Sequence, residues 1–186
     1  MRTTDSGTIE REQQDNLILG ISAGDPESLQ KLYVLTHSSV YGFALSYVKN
    51  EADAEDIMQD TFVRIWQKAG SFHAEGHAIS WILQITKNLA LEHLRSRKRE
   101  MTLEPEQWEL FEGKNTSLIS EDRALLEILF QDLNEEEQRV VILHGAAGLK
   151  HREIAALMET PLPTILSRYH RAMKKLKERL KGADYE

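Results

Sequence analysis

The chain has 186 residues, 41% of them hydrophobic and 28% charged, with a formal net charge of −7; that is room for one ordinary folded domain or two small ones. It holds no cysteine, which excludes a disulfide framework, a thiolate metal site and a cysteine nucleophile, and points to a reducing compartment, the cytoplasm. No apolar stretch approaches the roughly 20 residues of a membrane span, and the polar opening MRTTDSGTIEREQQDN offers no secretory core.

Sustained period-two alternation and Asn-Gly or Asp-Gly turns are missing, whereas apolar residues recur at three- and four-residue steps. An all-α protein is therefore predicted. Residues 1–15 read as disordered. Asp25-Pro26 then opens a helix with proline in its first turn, and Leu29, Leu32, Tyr33, Val40, Phe43, Ala44, Tyr47 and Val48 form its apolar face, up to Asn50. The run DAEDIMQDTFVRIW, residues 53–66, is a second amphipathic helix. Asp53 is expected to cap it. Ile57, Phe62, Ile65 and Trp66 would be buried, and Asp53, Asp56, Gln59 and Asp60 would line the other side, balanced only by Arg64. Gly70 stops this helix and residues 71–79 form a loop. The next helix, SWILQITKNLALEHLRSR over residues 80–97, would bury Trp81, Ile82, Ile85, Leu89 and Leu94. These faces close one small bundle over residues 16–99. Residues 100–120 are acidic and broken by Pro105 and Gly113, as a linker would be. A second helical unit is expected over residues 121–181, with Asn134 and Glu137 as a capping box for a helix over residues 135–144.

The charge is segregated. Residues 84–99 carry a net +4, residues 101–137 a net −9 and residues 150–181 a net +6. Two basic blocks around an acidic one suggest two places for phosphate, with acidic surface serving another purpose. The last block, LKHREIAALMETPLPTILSRYHRAMKKLKERL, reads as a short helix over 152–158, a tight break at 159–162 and a longer helix with Pro163 at its first position. That is the helix-turn-helix pattern. Ile165, Tyr169, Met173 and Leu176 would point inward; Leu166, Ser167, His170, Arg171 and Lys174 would point outward, where a recognition helix reaches base edges. A basic amphipathic helix that covers a core or binds an acidic partner is the plainer alternative.

Taken together, DAEDIMQDTFVRIW, SWILQITKNLALEHLRSRKR, LNEEEQRVVILH and GLKHREIAALMETPLPTILSRYHRA resemble, in order and spacing, the sigma factors of bacterial RNA polymerase, in particular the small extracytoplasmic-function class. The resemblance implies two helical domains joined by a linker, binding of core RNA polymerase, promoter recognition with opening of the minus-ten element, and transcription initiation. It implies that Asp56, Gln59 and Asp60 dock on the clamp helices of the largest polymerase subunit. It implies that residues 71–79, with Lys87, Asn88, Arg95, Arg97, Lys98 and Arg99, handle the minus-ten element, Asn88 at a base and the cations at phosphates. His144, Ser167, Arg168, His170, Arg171 and Lys174 would serve the minus-thirty-five element. Leu166 departs from the usual basic residue, so one contact there is expected to be missing. Trp81 matches a family tryptophan, although its apolar neighbours favour core packing. The class also implies an anti-sigma partner.

An enzyme needs a convergent polar site, and the sequence offers none. His73 and His77 flank Glu75, but the order is wrong for a helical zinc motif, and no third ligand is evident. No metal or other cofactor is expected. The rival reading is a free-standing helix-turn-helix regulator whose N-terminal helices sense or dimerise. It accounts for the C-terminus but not for the acidic stripe. Promoter sequence, regulon and the identity of an anti-sigma partner are not written in these residues.

Overall fold

The structure, a computed structural model, describes residues 6–74, 77–103 and 131–183. Among the described residues there are seven helices and no strand: α1 Ser6–Ser22, α2 Pro26–Val48, α3 Glu51–Lys68, α4 Ala78–Leu103, α5 Glu135–Val141, α6 His151–Leu157 and α7 Leu162–Ala183. The expected linker lies mostly outside them; its first residues prolong α4.

Local signals explain most of the helix starts. Asp25 caps α2 by accepting from the backbone N–H of Glu27 at 3.0 Å and of Ser28 at 3.2 Å. Asn50 caps α3, accepting from Asp53 N at 3.0 Å. That corrects the expectation that Asp53 is the cap: Asp53 sits one turn in, where its charge meets the positive end of the helix dipole. The capping box at α5 is formed, with Glu137 N donating to Asn134 Oδ1 at 2.9 Å and Asn134 N to Glu137 Oε2 at 3.2 Å. Beyond α5 the chain widens into a π turn, Ile142–Ala146.

Of residues 1–15, expected to be disordered, 6–15 belong to α1, and residues 1–5 lie outside the described residues. Ile18 and Ile21 are buried, and Asp15, 5% exposed, accepts from Ala78 N at 3.0 Å. That last partner is 63 residues away, out of reach of a reading of local polarity. Where α1 passes α2, only glycine fits: a β-carbon at Gly20 would lie 2.3 Å from Ser28 Oγ.

Helices α1–α4 form one unit and α5–α7 a second, and they share one core. Ile18, Leu32, Val40, Phe43, Phe62, Ile65, Ile82 and Leu83 from the first are continuous with Val140, Leu143, Leu149, Ile154, Leu157 and Ile165 from the second. Polar contacts follow the same boundary. Ser39 Oγ donates to Ala146 O at 3.0 Å and Arg139 Nη2 to Ser46 O at 3.0 Å, with the Arg139 guanidinium 4.0 Å above the Tyr47 ring. Arg11 pairs with Glu153 at 2.7 Å.

Two inward assignments need correction. Trp66 is 42% exposed, because the buried face of α3 is centred on Met58, Thr61 and Ile65 and Trp66 falls at its edge. Met173 is 41% exposed; on α7 the inward position one turn beyond Tyr169 goes to Ala172, which is fully buried.

Candidate functional site

On α3, Asp56, Gln59 and Asp60 are exposed along one face, with Val63, 54% exposed, among them. Gln59 and Asp60, three and four residues on from Asp56, project with it from the same side of a 3.6-residue helix. Asp53 begins the same row but is not open, since Arg97 Nη1 reaches its Oδ2 at 2.9 Å and His93 Nε2 lies 3.3 Å from it. The sequence offered Arg64 as the only balancing cation; the fold brings a second from α4.

Helix α4 carries the next group. Asn88 is exposed, its Oδ1 accepting from Gln84 Nε2 at 3.1 Å. Arg95, Arg97, Lys98 and Arg99 are exposed, and Arg97 is paired with Asp53. Lys87 is only 8% exposed. Its ammonium donates to Leu157 O at 2.8 Å and to Glu159 Oε1 at 2.6 Å, both from the second unit. Trp81 packs on the core with its ring 5.3 Å from that of Phe72. His77 Nδ1 lies 3.9 Å from Glu153 Oε1, and among the described residues no His/Asp/Glu group of three could hold a metal ion.

Helices α6 and α7 form the helix-turn-helix. Ile154, Leu157 and Ile165 are buried between them, and the turn closes through Thr160 N donating to Ala155 O at 3.0 Å. α7 starts at Leu162, one residue before the expected proline start. Its outer face presents Leu166, Ser167, His170, Arg171 and Lys174, all exposed. Arg171 Nη1 donates to Ser167 Oγ at 2.7 Å, which fixes the guanidinium along the helix. Arg168 turns inward, its side chain 14% exposed against Glu136 and Thr160. His144 is half-buried and held from within: Nδ1 meets Leu149 O at 2.8 Å, and the ring lies tilted against His151 at 4.4 Å and edge-on to Tyr169 at 4.9 Å.

Glu137, read from sequence only as a capping residue, does more. It is 1% exposed, with Lys175 Nζ 2.6 Å from one carboxylate oxygen and Arg171 Nε 3.4 Å from the other. It thus anchors α7 to the start of α5. The signal missed in the sequence was the i,i+4 spacing of Arg171 and Lys175, which puts both cations on one side of α7. Burial alone would raise the Glu137 carboxyl, but the hydrogen bonds from Lys175 and the Asn134 cap outweigh it and hold the group below the usual carboxylate range. A depressed carboxyl adds stability above its unfolded value, about 4.3 for glutamate, and loses it as pH falls through the folded value. Glu137→Gln, which can still serve in a capping box, is expected to cost about 1–2 kcal/mol at neutral pH, because the partner cations are partly in water. The loss should shrink below pH about 4, as urea unfolding across pH would read.

Comparison with known proteins follows these two surfaces. A family model described as Sigma-70 region 2 matches residues 32–100, and one described as Sigma-70, region 4 matches residues 123–176. The chain is 26% identical over 185 residues to the RNA polymerase sigma-H factor of Pseudomonas aeruginosa, covering 92% of this chain and 96% of that one. It is 33% identical over 147 residues to the ECF RNA polymerase sigma factor SigE of Mycolicibacterium smegmatis, covering 76% and 57% respectively. Among solved structures, the sigma factor RpoE in complex with the anti-sigma factor NepR from Bartonella quintana matches with a TM-score of 0.63 at 27% identity, over 82% of this chain and 96% of that one. CnrH, in complex with the cytosolic domain of CnrY, shares the fold with a TM-score of 0.61 at 20% identity, over 91% and 98%.

Proposed function

The chain belongs to the sigma-70 family of RNA polymerase sigma factors, in the extracytoplasmic-function class, and from that premise we propose how its surfaces divide the work. As a sigma factor it binds core RNA polymerase and directs promoter recognition and initiation; phosphoryl chemistry belongs to the polymerase, and this chain acts as a binding factor in the cytoplasm, where that polymerase works. The observation that carries the reading is the exposed row Asp56, Gln59 and Asp60 on α3, within the first matched region.

In this reading residues 16–99 are the region-2 domain and residues 121–181 the region-4 domain, joined by the acidic linker. Asp56, Gln59 and Asp60 meet the basic clamp helices of the largest subunit, where complementary charge steers encounter and fixes register. Asn88 addresses an unstacked base of the minus-ten element, and Arg95, Lys98 and Arg99 address its phosphates. An extruded base costs a few kcal/mol, recovered by polar and phosphate contacts. Lys87 and Arg97 join them once released from Glu159 and Asp53. At the minus-thirty-five element Ser167, His170, Arg171 and Lys174 face the major groove. Arg168 and His144 support the recognition helix from behind, Arg168 through Glu136 and His144 through Leu149 and Tyr169. Because the structural relative is bound to an anti-sigma factor, an anti-sigma partner is part of the proposal.

The test is reconstitution: purified chain, core polymerase and a library of promoter fragments, read as run-off transcripts. No initiation at any defined site would end the reading, and duplex binding without core polymerase would favour a free-standing regulator. Within that assay Arg171→Ala is expected to lower initiation at promoters that need the upstream element about ten- to hundredfold, the worth of one good base-edge contact. Core affinity, measured by fluorescence anisotropy, should not change.

A further inference from the structure

We propose that Glu159 is a latch that closes the free protein by holding Lys87 of the minus-ten helix against the helix-turn-helix unit. The functional consequence rests on the promoter reading above; the geometry does not.

Lysine normally keeps its ammonium in water, yet the Lys87 side chain is 10% exposed. Its two acceptors, Leu157 O at 2.8 Å and Glu159 Oε1 at 2.6 Å, come from the last residue of α6 and from the turn that follows it. Leu157 O is among the last carbonyls of α6, where a helix end favours a cation. A buried ammonium without such partners is strongly unfavourable, so Lys87 occupies this place only while the turn is docked on it.

The backbone supplies an independent observation. Among the described residues two that are not glycine have positive φ: Lys49 at 57° and Glu159 at 51°. Left-handed backbone strains any residue with a β-carbon, and glycine relieves it; Gly24 and Gly148 fill such positions elsewhere in this chain. Both exceptions send side chains across the boundary between the two units, Lys49 Nζ to Gln138 Oε1 at 3.2 Å and Glu159 to Lys87. Strain that persists at a turn points to a role for the side chain that sits there. Here the role is to close one unit on the other, alongside Arg11–Glu153, Ser39–Ala146 and Arg139–Ser46.

While the latch is closed, Lys87 cannot reach a phosphate. Asp56, Gln59 and Asp60 remain exposed in the same conformation. The closed protein can therefore meet the polymerase first, and the minus-ten surface is completed only when the turn leaves α4. A binding-competent state that is only partly populated weakens apparent affinity by its fractional population.

The chain has no cysteine of its own, so Gly42→Cys with Ile142→Cys introduces the only thiol pair. A β-carbon at Gly42 would lie 3.7 Å from Ile142 Cγ2, across the closed boundary. In the full-length free protein a mild oxidant is expected to join the pair, and the joined form should support run-off transcription with core polymerase at least about tenfold more weakly, restored by reductant. Adding Glu159→Gly, which relieves the backbone while removing the carboxylate, is expected to slow bond formation about fivefold. It should also raise transcription by the reduced protein at limiting core enzyme. Equal transcription by the oxidised and reduced forms, or a bond-forming rate indifferent to Glu159→Gly, would overturn the latch. If the reduced protein initiates nowhere, the promoter reading fails, while the bond-forming rates still decide whether the latch exists.

Discussion

Replacing Asp56 and Asp60 together with lysine is expected to weaken association with core RNA polymerase by at least about a hundredfold at low salt, with the fold intact. Each change removes an attraction and installs a repulsion, so four units of charge are altered on a face proposed to meet a basic coiled coil. Like charges brought together at an interface cost several kcal/mol, and about 2.7 kcal/mol already corresponds to a hundredfold. Both side chains are exposed, and substitutions at such positions usually move stability by less than about 0.5 kcal/mol. Lysine is also a better helix former than aspartate. Because the interaction is electrostatic, the difference from the parent protein should narrow as salt shortens the Debye length towards about 3 Å at 1 M. Anisotropy titrations with core enzyme at several salt concentrations provide the check. An affinity unchanged at low salt would remove α3 from the polymerase interface.

Phe43→Ala is expected to cost about 3–5 kcal/mol of folding stability, a large share of the roughly 5–15 kcal/mol of a typical domain. Phe43 is fully buried and meets Tyr47 edge-on with ring centroids 5.3 Å apart; Tyr47 in turn lies under Arg139 of the second unit. The lost ring therefore leaves a cavity in the cluster that runs from Ile18 to Ile165. The two units should unfold in one transition, and the variant should shift that transition without splitting it. Urea unfolding followed by circular dichroism and by tryptophan fluorescence tests both points. A loss below about 1 kcal/mol would show that the site collapses around the gap.

How much of this was legible in the sequence depends on chain distance. Asp25 with Pro26, Asn134 with Glu137 and the helix-turn-helix break are local devices, in which a side chain meets backbone within three or four residues, and each was read close to its place. The helical class and the four apolar faces followed from the spacing of residues such as Leu32, Val40 and Phe43. Long-range partners were not legible. Arg11 with Glu153, Asp53 with Arg97, and Lys87 with Glu159 join residues 142, 44 and 72 positions apart. A charge looks the same in sequence whether it will meet DNA or a carboxylate from another helix. That is why residues 6–15 read as part of a disordered tail and why Arg168, which the resemblance gave to the minus-thirty-five element, is drawn back to Glu136. Trp66 and Met173 failed for a different reason: each lies at the margin of a helical face, where a hydrophobic type does not decide between core and water.

The pair between Asp53 and Arg97 carries one more consequence. The same two atoms belong to helices assigned to different macromolecules. Any phosphate that draws Arg97 away leaves Asp53 with His93 alone, beside the exposed Asp56 and Asp60, sharpening the negative edge offered to the enzyme. Thermodynamic reciprocity then requires enzyme binding, to the extent that it favours an Asp53 parted from Arg97, to release Arg97 towards nucleic acid. An exposed pair of this kind is worth no more than about 1 kcal/mol, so the cooperativity is slight, but its sign is fixed: each ligand eases the arrival of the other.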